Sequence, residues 1–283
     1  MIQKKTVLVC IFSDLSPDIL HRYIVNAVMF AKSTGSFVHF LVPSNTEEAF
    51  NLELKSIPTE TLKAIQAVSH LISEDLSSRV VNEAIKLYST DLIVVQSGSV
   101  FRKEMLEQSS KPILLLSPNV DLVQTPIESV LVPMSGEIRV SPALKFGLRL
   151  ASVIHVPVDL IHVTIQGDQA KCSLDSLGDQ PGHEYRHLLD RVIAEATPFS
   201  DTKERARVRT LYHVQGIPSV EILKTAQHTP SCAIVAQWRG LFIQGRAETL
   251  KEILHQCAMP IFLIKAEADQ KSLLKIGPET RVA

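Results

Sequence analysis

The sequence predicts two α/β domains in tandem, each with a mainly parallel sheet that helices cover on both faces. The first observation is an internal repeat: KEMLEQSSKPILLL, which starts at Lys103, and KEILHQCAMPIFLI, which starts at Lys251, agree at seven of fourteen positions. The second is a repeated beginning, TVLVCIF at Thr6 and SVLVPMS at Ser129. The third is that short apolar runs alternate with helical patterns, which is typical of buried parallel sheets.

The second half contains five predicted strands and four predicted helices. Its first helix is expected to have Ser141 as its N-cap and Pro142 as its first residue. Gly216 and Pro218 mark the turn and the start of a later helix. The predicted strands are 129–134, 158–165, 206–213, CAIVAQ and PIFLIK, and the remaining helices lie at 184–196 and in the KEIL segment.

The first half is predicted to be a reduced copy, because residues 44–61 contain Pro58 and show only fragments of a helical pattern. Its predicted strands are 6–12, 36–42, 63–69, 91–96 and 112–116, and its predicted helices are 16–33, 77–88 and 101–109. A segment with prolines at both ends and little to bury, SPNVDLVQTPIE, separates the halves. We therefore expect a degenerate domain at 1–118, a linker at 119–128, a second domain at 129–267 and a mobile tail at 268–283.

The composition argues against several classes of protein. Lys and Arg number 29 against 30 Asp and Glu, so no net field favours nucleic acid or an anionic membrane. The chain has no secretory signal pattern and no run of about eighteen apolar residues, so we expect a cytoplasmic protein without membrane insertion. Its four cysteines form no CxxC pair and are expected to be reduced, mostly buried thiols.

The second half resembles the universal stress protein family in its tandem two-domain form. The resemblance rests on residues 129–163, on CAIVAQWRG, and on the KEIL helix with MPIFLIK. It implies flavodoxin-like (Rossmann-like) sheets with strand order 3-2-1-4-5. It also implies pairing through the edge of the fifth strand, between halves or between chains.

In this fold class ligands bind beyond the carboxyl ends of the first and fourth strands, where the strand order reverses. In the ATP-binding branch of the family, an aspartate ends the first strand and a glycine-rich loop after the fourth strand wraps the phosphates. The corresponding candidate pocket of the second half consists of Met134, Ser135, Gly136, Gln237, Arg239, Gly240, Gly245 and Arg246.

The chain departs from the ATP-binding pattern at most of these positions. The aspartate position holds Ser135 in the second half and Phe12 in the first, and Gln237 and Gln96 replace the first glycine. Ala247 and Glu248 stand where a glycine and a hydroxyl residue are expected, and a carboxylate there would repel phosphate. We therefore expect no cofactor and a non-enzymatic, stress-associated protein that binds a protein partner or a small molecule, with sheet edges that would allow a homodimer.

Two other interpretations stay open. ATP could bind through a rearranged site at Ser135, Gly240, Gly245 and Arg246, which would make the protein a nucleotide-responsive regulator. HEYRH at 183–187 has the spacing of a zinc-protease helix, with His183, Glu184 and His187 in the catalytic roles.

The surroundings of HEYRH argue against a hydrolase. The apolar face of this helix consists of Tyr185, Leu188, Leu189, Val192 and Ala196, and the helical period places both histidines opposite it. No third metal ligand is apparent, so we expect neither a metal site nor catalytic residues. We expect His39 and His162 to be packing residues. Trp238 could stack on the ring of a ligand, but a packing role is the favoured interpretation.

Overall fold

A computed structural model describes residues 5–65, 68–74, 76–97, 107–109, 111–134, 141–164, 194, 208–229, 231–238 and 248–266. Their ten strands form one sheet. In chain order the strands are β1 Thr6–Cys10, β2 Phe37–Pro43, β3 Val68–Ser73, β4 Leu92–Gln96, β5 Ile113–Leu116, β6 Ser129–Met134, β7 Val158–Thr164, β8 Val208–Gln215, β9 Cys232–Trp238 and β10 Ile261–Lys265.

The spatial order of the sheet is β3-β2-β1-β4-β5-β10-β9-β6-β7-β8. Each half therefore has the order 3-2-1-4-5, and all neighbours within a half are parallel. The halves meet where β5 and β10 pair antiparallel, with Leu115 opposite Ile261 and Ile113 opposite Leu263. The predicted fold class is confirmed, and the fifth-strand edges pair within one chain.

The helices start where the sequence places their start signals. Pro17, Pro142 and Pro218 each occupy the first helical turn, where a missing N–H is tolerated. The Ser141 hydroxyl accepts a hydrogen bond from the Leu144 amide at 3.1 Å, which confirms the predicted cap. In chain order the helices are α1 Pro17–Thr34, α2 Glu47–Ser56, α3 Thr59–Ala64, α4 Ser78–Leu87, α5 Pro142–Ile154, α6 Pro218–His228 and α7 Glu248–Gln256.

Helices α1 and α5 end in the same way. The residues that follow them, Gly35 and His155, are left-handed with φ of 62° and 58°. In each case the next amide bonds back to an alanine carbonyl, from Ser36 to Ala31 and from Val156 to Ala151, at 2.9 Å. The two helices can therefore be aligned residue by residue from their carboxyl ends.

Helices cover both faces of the sheet, as predicted. Val7 and Val9 of β1 point to the face covered by α1 and α5, which we term the α1 face. Leu8 and Cys10 point to the face covered by α4, α6 and α7, the α4 face. Gly147 brings α5 close to β6, because a Cβ at this position would lie 2.7 Å from Cγ2 of Val132.

The first half contains helices that the sequence pattern marks poorly. Residues 44–61, expected to lack a clear helix, include α2, and α3 occupies part of the strand predicted at 63–69, so that β3 begins at Val68. The reason is tertiary: α2 is anchored by Phe50, a fully buried residue whose ring packs against that of Phe40 at 5.1 Å. The expected helix at 101–109 lies largely outside the described residues, as do the helix at 184–196, apart from Ala194, and the tail.

The segment between the halves is more firmly attached than predicted. The side-chain amide of Asn26 donates to the Val120 carbonyl at 2.7 Å and accepts from the Leu122 amide at 2.8 Å. Val120 and Leu122 are buried beside α1 and join the core of the α1 face. The expectation that this segment has little to bury is therefore wrong, because two of its apolar residues are core residues.

Candidate functional site

The topology creates a crevice at the carboxyl end of each half. The ladder between β1 and β4 stops at Val9 and Val94, although both strands continue. The ladder between β6 and β9 likewise stops at Leu131 and Ile234. These are the reversal points where ligands bind in open α/β sheets, and they include the positions that the sequence predicts as a pocket.

A tyrosine bridges the two strands at the crevice of the first half. The Tyr23 hydroxyl, carried by α1, lies 3.1 Å from the carbonyl oxygen of Cys10 and 2.9 Å from that of Val94. It thereby spans the two strands where their own ladder has ended. Burial, with a smaller effect from Cys10, raises the pKa of Tyr23 well above its usual value, so the hydroxyl remains a neutral donor.

Two buried residues lie at the end of β1 beside this crevice. Phe12 occupies the position of the ATP-contacting aspartate, and its side chain is buried in the core of the α4 face. Burial raises the pKa of the neighbouring Cys10 thiol to about 12. Neither residue supplies a carboxylate that could accept a hydrogen bond from a ribose hydroxyl.

The crevice of the second half has no equivalent tyrosine. The alignment of α1 with α5 puts Ala143 at the position of Tyr23, and Ala143 is fully buried. Met134 is the last residue of β6 and Gln237 lies near the end of the adjacent strand β9, in the part of both strands that follows their shared ladder. Met134 is half-buried and Gln237 is exposed, so an amide is available at this edge.

Only part of the predicted pocket can be placed. Met134 and Gln237 are described, and they lie in the neighbouring strands β6 and β9. The other candidates lie outside the described residues, namely Ser135, Gly136, Arg239, Gly240, Gly245 and Arg246. His183, Glu184 and His187 of the HEYRH segment also lie outside them.

Trp238 is a packing residue in this structure. Its side chain is 4 % exposed and belongs to the core of the α4 face. Its carbonyl accepts a hydrogen bond from the Ala266 amide at 2.7 Å, which extends the contact between β9 and β10. A ring this deeply buried offers no open face on which a ligand could stack.

The strand histidines also pack, as expected. The ring of His39 stacks on Tyr88 with centroids 3.9 Å apart, and burial lowers the pKa of His39. His162 is 2 % exposed and stacks on His213 at 5.4 Å. The described part of the chain contains no group of three or more His, Cys, Asp or Glu side chains that could hold a metal ion.

The described cysteines are buried and free: Cys10, Cys232 and Cys257. Burial raises the pKa of Cys232 to about 12 and also raises the pKa of Cys257. Protonated buried thiols are poor nucleophiles, which agrees with the structural role expected for them.

Solved structures share this arrangement over nearly its whole length. A protein of unknown function from Pseudomonas aeruginosa matches with a TM-score of 0.61 at 16% identity, over 93% of each chain. A universal stress protein from Archaeoglobus fulgidus matches with a TM-score of 0.60 at 15% identity, over 94% of this chain and 97% of that one. The chain has the fold of a universal stress protein.

The same fold also occurs within a transporter. The cytoplasmic domain of a prokaryotic cation chloride cotransporter matches with a TM-score of 0.52 at 12% identity, over 96% of this chain and 100% of that one. No protein-family model and no curated protein matches the sequence. At these identities the universal stress protein fold is established by structure, whereas the ligand is not.

No helix of the described residues is both long enough and apolar enough to cross a bilayer.

Proposed function

We propose that this protein is a non-enzymatic, cytoplasmic, stress-associated binding protein whose first nucleotide crevice has been converted into a structural joint. The observation that carries the proposal is the Tyr23 hydroxyl, which lies within hydrogen-bonding distance of the carbonyls of Cys10 and Val94. A ligand that entered between β1 and β4 would have to displace this side chain and remove the single hydroxyl proton that the two carbonyls share, at a cost of about 1–3 kcal/mol.

The second half is where recognition is proposed to occur. Its crevice has Ala143 at the position of Tyr23 and Gln237 at an exposed edge. The replacement of the nucleoside-contacting aspartate by Ser135, and of two motif residues by Ala247 and Glu248, disfavours a triphosphate. A protein partner or a small molecule is therefore the proposed ligand, and the fold of the transporter domain supports a module that acts as part of a larger assembly.

A calorimetric titration of the full-length protein with Mg-ATP tests this proposal. We expect no saturable heat at millimolar ATP, and no phosphate release above that of buffer. Saturable binding by the wild type would contradict the proposal.

A matched pair of variants identifies the half responsible if ATP does bind. Gly240→Glu adds a carboxylate to the second candidate pocket, and Ser97→Glu adds one after β4 in the first half. Loss of ATP binding in Gly240→Glu with retention in Ser97→Glu would establish a nucleotide-responsive regulator that uses the second half. Loss of ATP binding in Ser97→Glu with retention in Gly240→Glu would show that ATP displaces the Tyr23 side chain and binds in the first half.

A further inference from the structure

A cavity of about 230 Å³ lies between the two halves on the α1 face. It is located at the amino ends of β1 and β4, at the opposite ends of these strands from the first crevice. Its apolar walls come from both halves and include Val7, Phe30, Leu92, Phe146, Leu150 and Val153. Because α1 and α5 both line it, the cavity belongs to the junction of the halves.

The two halves are related by an internal repeat, so the cavity can be compared with the equivalent position of the other half. In the alignment of α1 with α5, Phe146 of the cavity corresponds to Asn26. Beside Asn26 the equivalent space is filled by the segment between the halves, with Val120 and Leu122 buried there. The chain contains only one such segment. The position beside Asn26 is therefore filled by apolar side chains, whereas the related position beside Phe146 is an open cavity.

The two positions differ in the chemistry that they can accept. Asn26 satisfies one peptide carbonyl and one peptide amide of the segment that it holds. Phe146 has no polar group, so an extended peptide beside it would lose solvation of its amides without compensation. The Phe146 and Phe30 rings are held in place against Phe262, at 5.5 and 5.7 Å. The cavity therefore suits an apolar body without a peptide backbone.

The rim of the cavity carries an excess of positive charge. Lys5 and Arg149 line it, both are exposed, and neither forms an ion pair or a side-chain hydrogen bond with any residue in the described ranges. Asp91 is the acidic residue of the lining, and its Oδ2 already accepts the Thr6 amide at 2.9 Å. A guanidinium on a half-apolar rim is well suited to a carboxylate.

We propose that this cavity binds a small carboxylate with an unbranched or ring-like apolar body, whose anionic end pairs with Arg149. With about 30 Å³ for each water-sized group, the volume accommodates roughly eight such groups, which is the size of a medium-chain fatty acid. The body lies between Phe30 and Phe146, and Lys5 adds a second positive charge near the opening.

Calorimetric titration of the full-length protein with octanoate tests the proposal, with octanol as a neutral ligand of the same chain length. We expect saturable octanoate binding to the wild type. In Arg149→Gln the dissociation constant for octanoate should rise roughly tenfold or more, because a charge-assisted pair is lost, while the affinity for octanol should be unchanged. Val153→Trp, which fills the cavity, should abolish binding of both ligands.

Lys145→Gln is the matched control, because Lys145 is an exposed cation on the same helix that does not line the cavity. It should bind octanoate as the wild type does. The proposal is overturned if the wild type shows no saturable binding at millimolar octanoate, or if Arg149→Gln binds octanoate as tightly as the wild type. Since the Arg149 side chain is exposed, that variant retains the fold and decides the question even if Val153→Trp unfolds.

Discussion

Tyr23 connects the two strands at the first crevice through one side chain. Its ring is buried in the core of the α1 face, and its hydroxyl lies within hydrogen-bonding distance of the carbonyls of Cys10 and Val94, where the β1–β4 ladder ends. The sequence contains a signal for this role, since Tyr23 lies on the buried stripe of α1, next to Ile24 and three residues after Leu20. A buried tyrosine requires a hydrogen-bond partner, although the sequence alone does not identify it.

The Tyr23→Phe variant should lower the free energy of unfolding by about 1–3 kcal/mol, because the hydroxyl proton shared by two buried carbonyls is lost while the packing of the ring remains. Urea denaturation followed by circular dichroism measures the change. Tyr88→Phe is the control: Tyr88 is half-buried, and its effect should remain within about 0.5 kcal/mol. Equal effects of the two substitutions would show that the Tyr23 hydroxyl does not act as a joint.

At the scale of elements, the segment between the halves behaves as part of the core. Its attachment depends on Asn26, which lies on the buried stripe of α1 among apolar residues. An asparagine among apolar neighbours is the feature by which the sequence could have indicated a buried polar contact. Its partners are 94 and 96 residues away in the chain, a separation over which local patterns carry no information.

Asn26→Ala should destabilise the protein by about 2–4 kcal/mol, since a buried carbonyl and a buried amide would lose their partner. The segment should also become a site of early cleavage by thermolysin, which cuts beside apolar residues. Mass spectrometry of a limited digest locates the cut. The control is Asn82→Ala on α4, where the asparagine is half-buried and forms no side-chain hydrogen bond within the described part of the chain.

At the scale of the whole molecule, the seam between β5 and β10 joins the two halves into one sheet. Phe262 of β10 is fully buried, and its ring contacts Phe30 of α1 and Phe146 of α5. A side chain that touches the first helix of each half couples their unfolding. We expect the wild type to unfold in one transition, seen equally by circular dichroism and by the fluorescence of its single tryptophan, Trp238.

Phe262→Ala should cost about 3–5 kcal/mol and should separate the two unfolding curves, because Trp238 reports on the second half whereas circular dichroism reports on both. Phe40→Ala is the control: Phe40 is also fully buried, and its ring packs against Phe50 of the first half. It should lower stability by a similar amount while the two curves remain coincident. Coincident curves in Phe262→Ala would show that the seam does not couple the halves.

The sequence predicted the repeated architecture well because each strand and most helices have a recognisable pattern within a few neighbouring residues. Buried strands appear as continuous apolar runs, and the proline and serine start signals lie where α1, α5 and α6 begin. It failed at α2 and β3, where one packed phenylalanine outweighs a weak helical pattern. At the level of sequence Tyr23 was missed, because its contacts join residues that are far apart in the chain.

The antiparallel pairing of β5 with β10 also determines the directions in which the halves face. All strands of one half run opposite to those of the other, so the two crevices open at opposite margins of the sheet and are four strand spacings apart across it, about 19 Å at ~4.8 Å per strand. No compact ligand can reach both. Substitutions in one crevice therefore do not affect the other. The ligand that we propose for the second half would approach Gln237 from the margin opposite to the one at which Tyr23 lies.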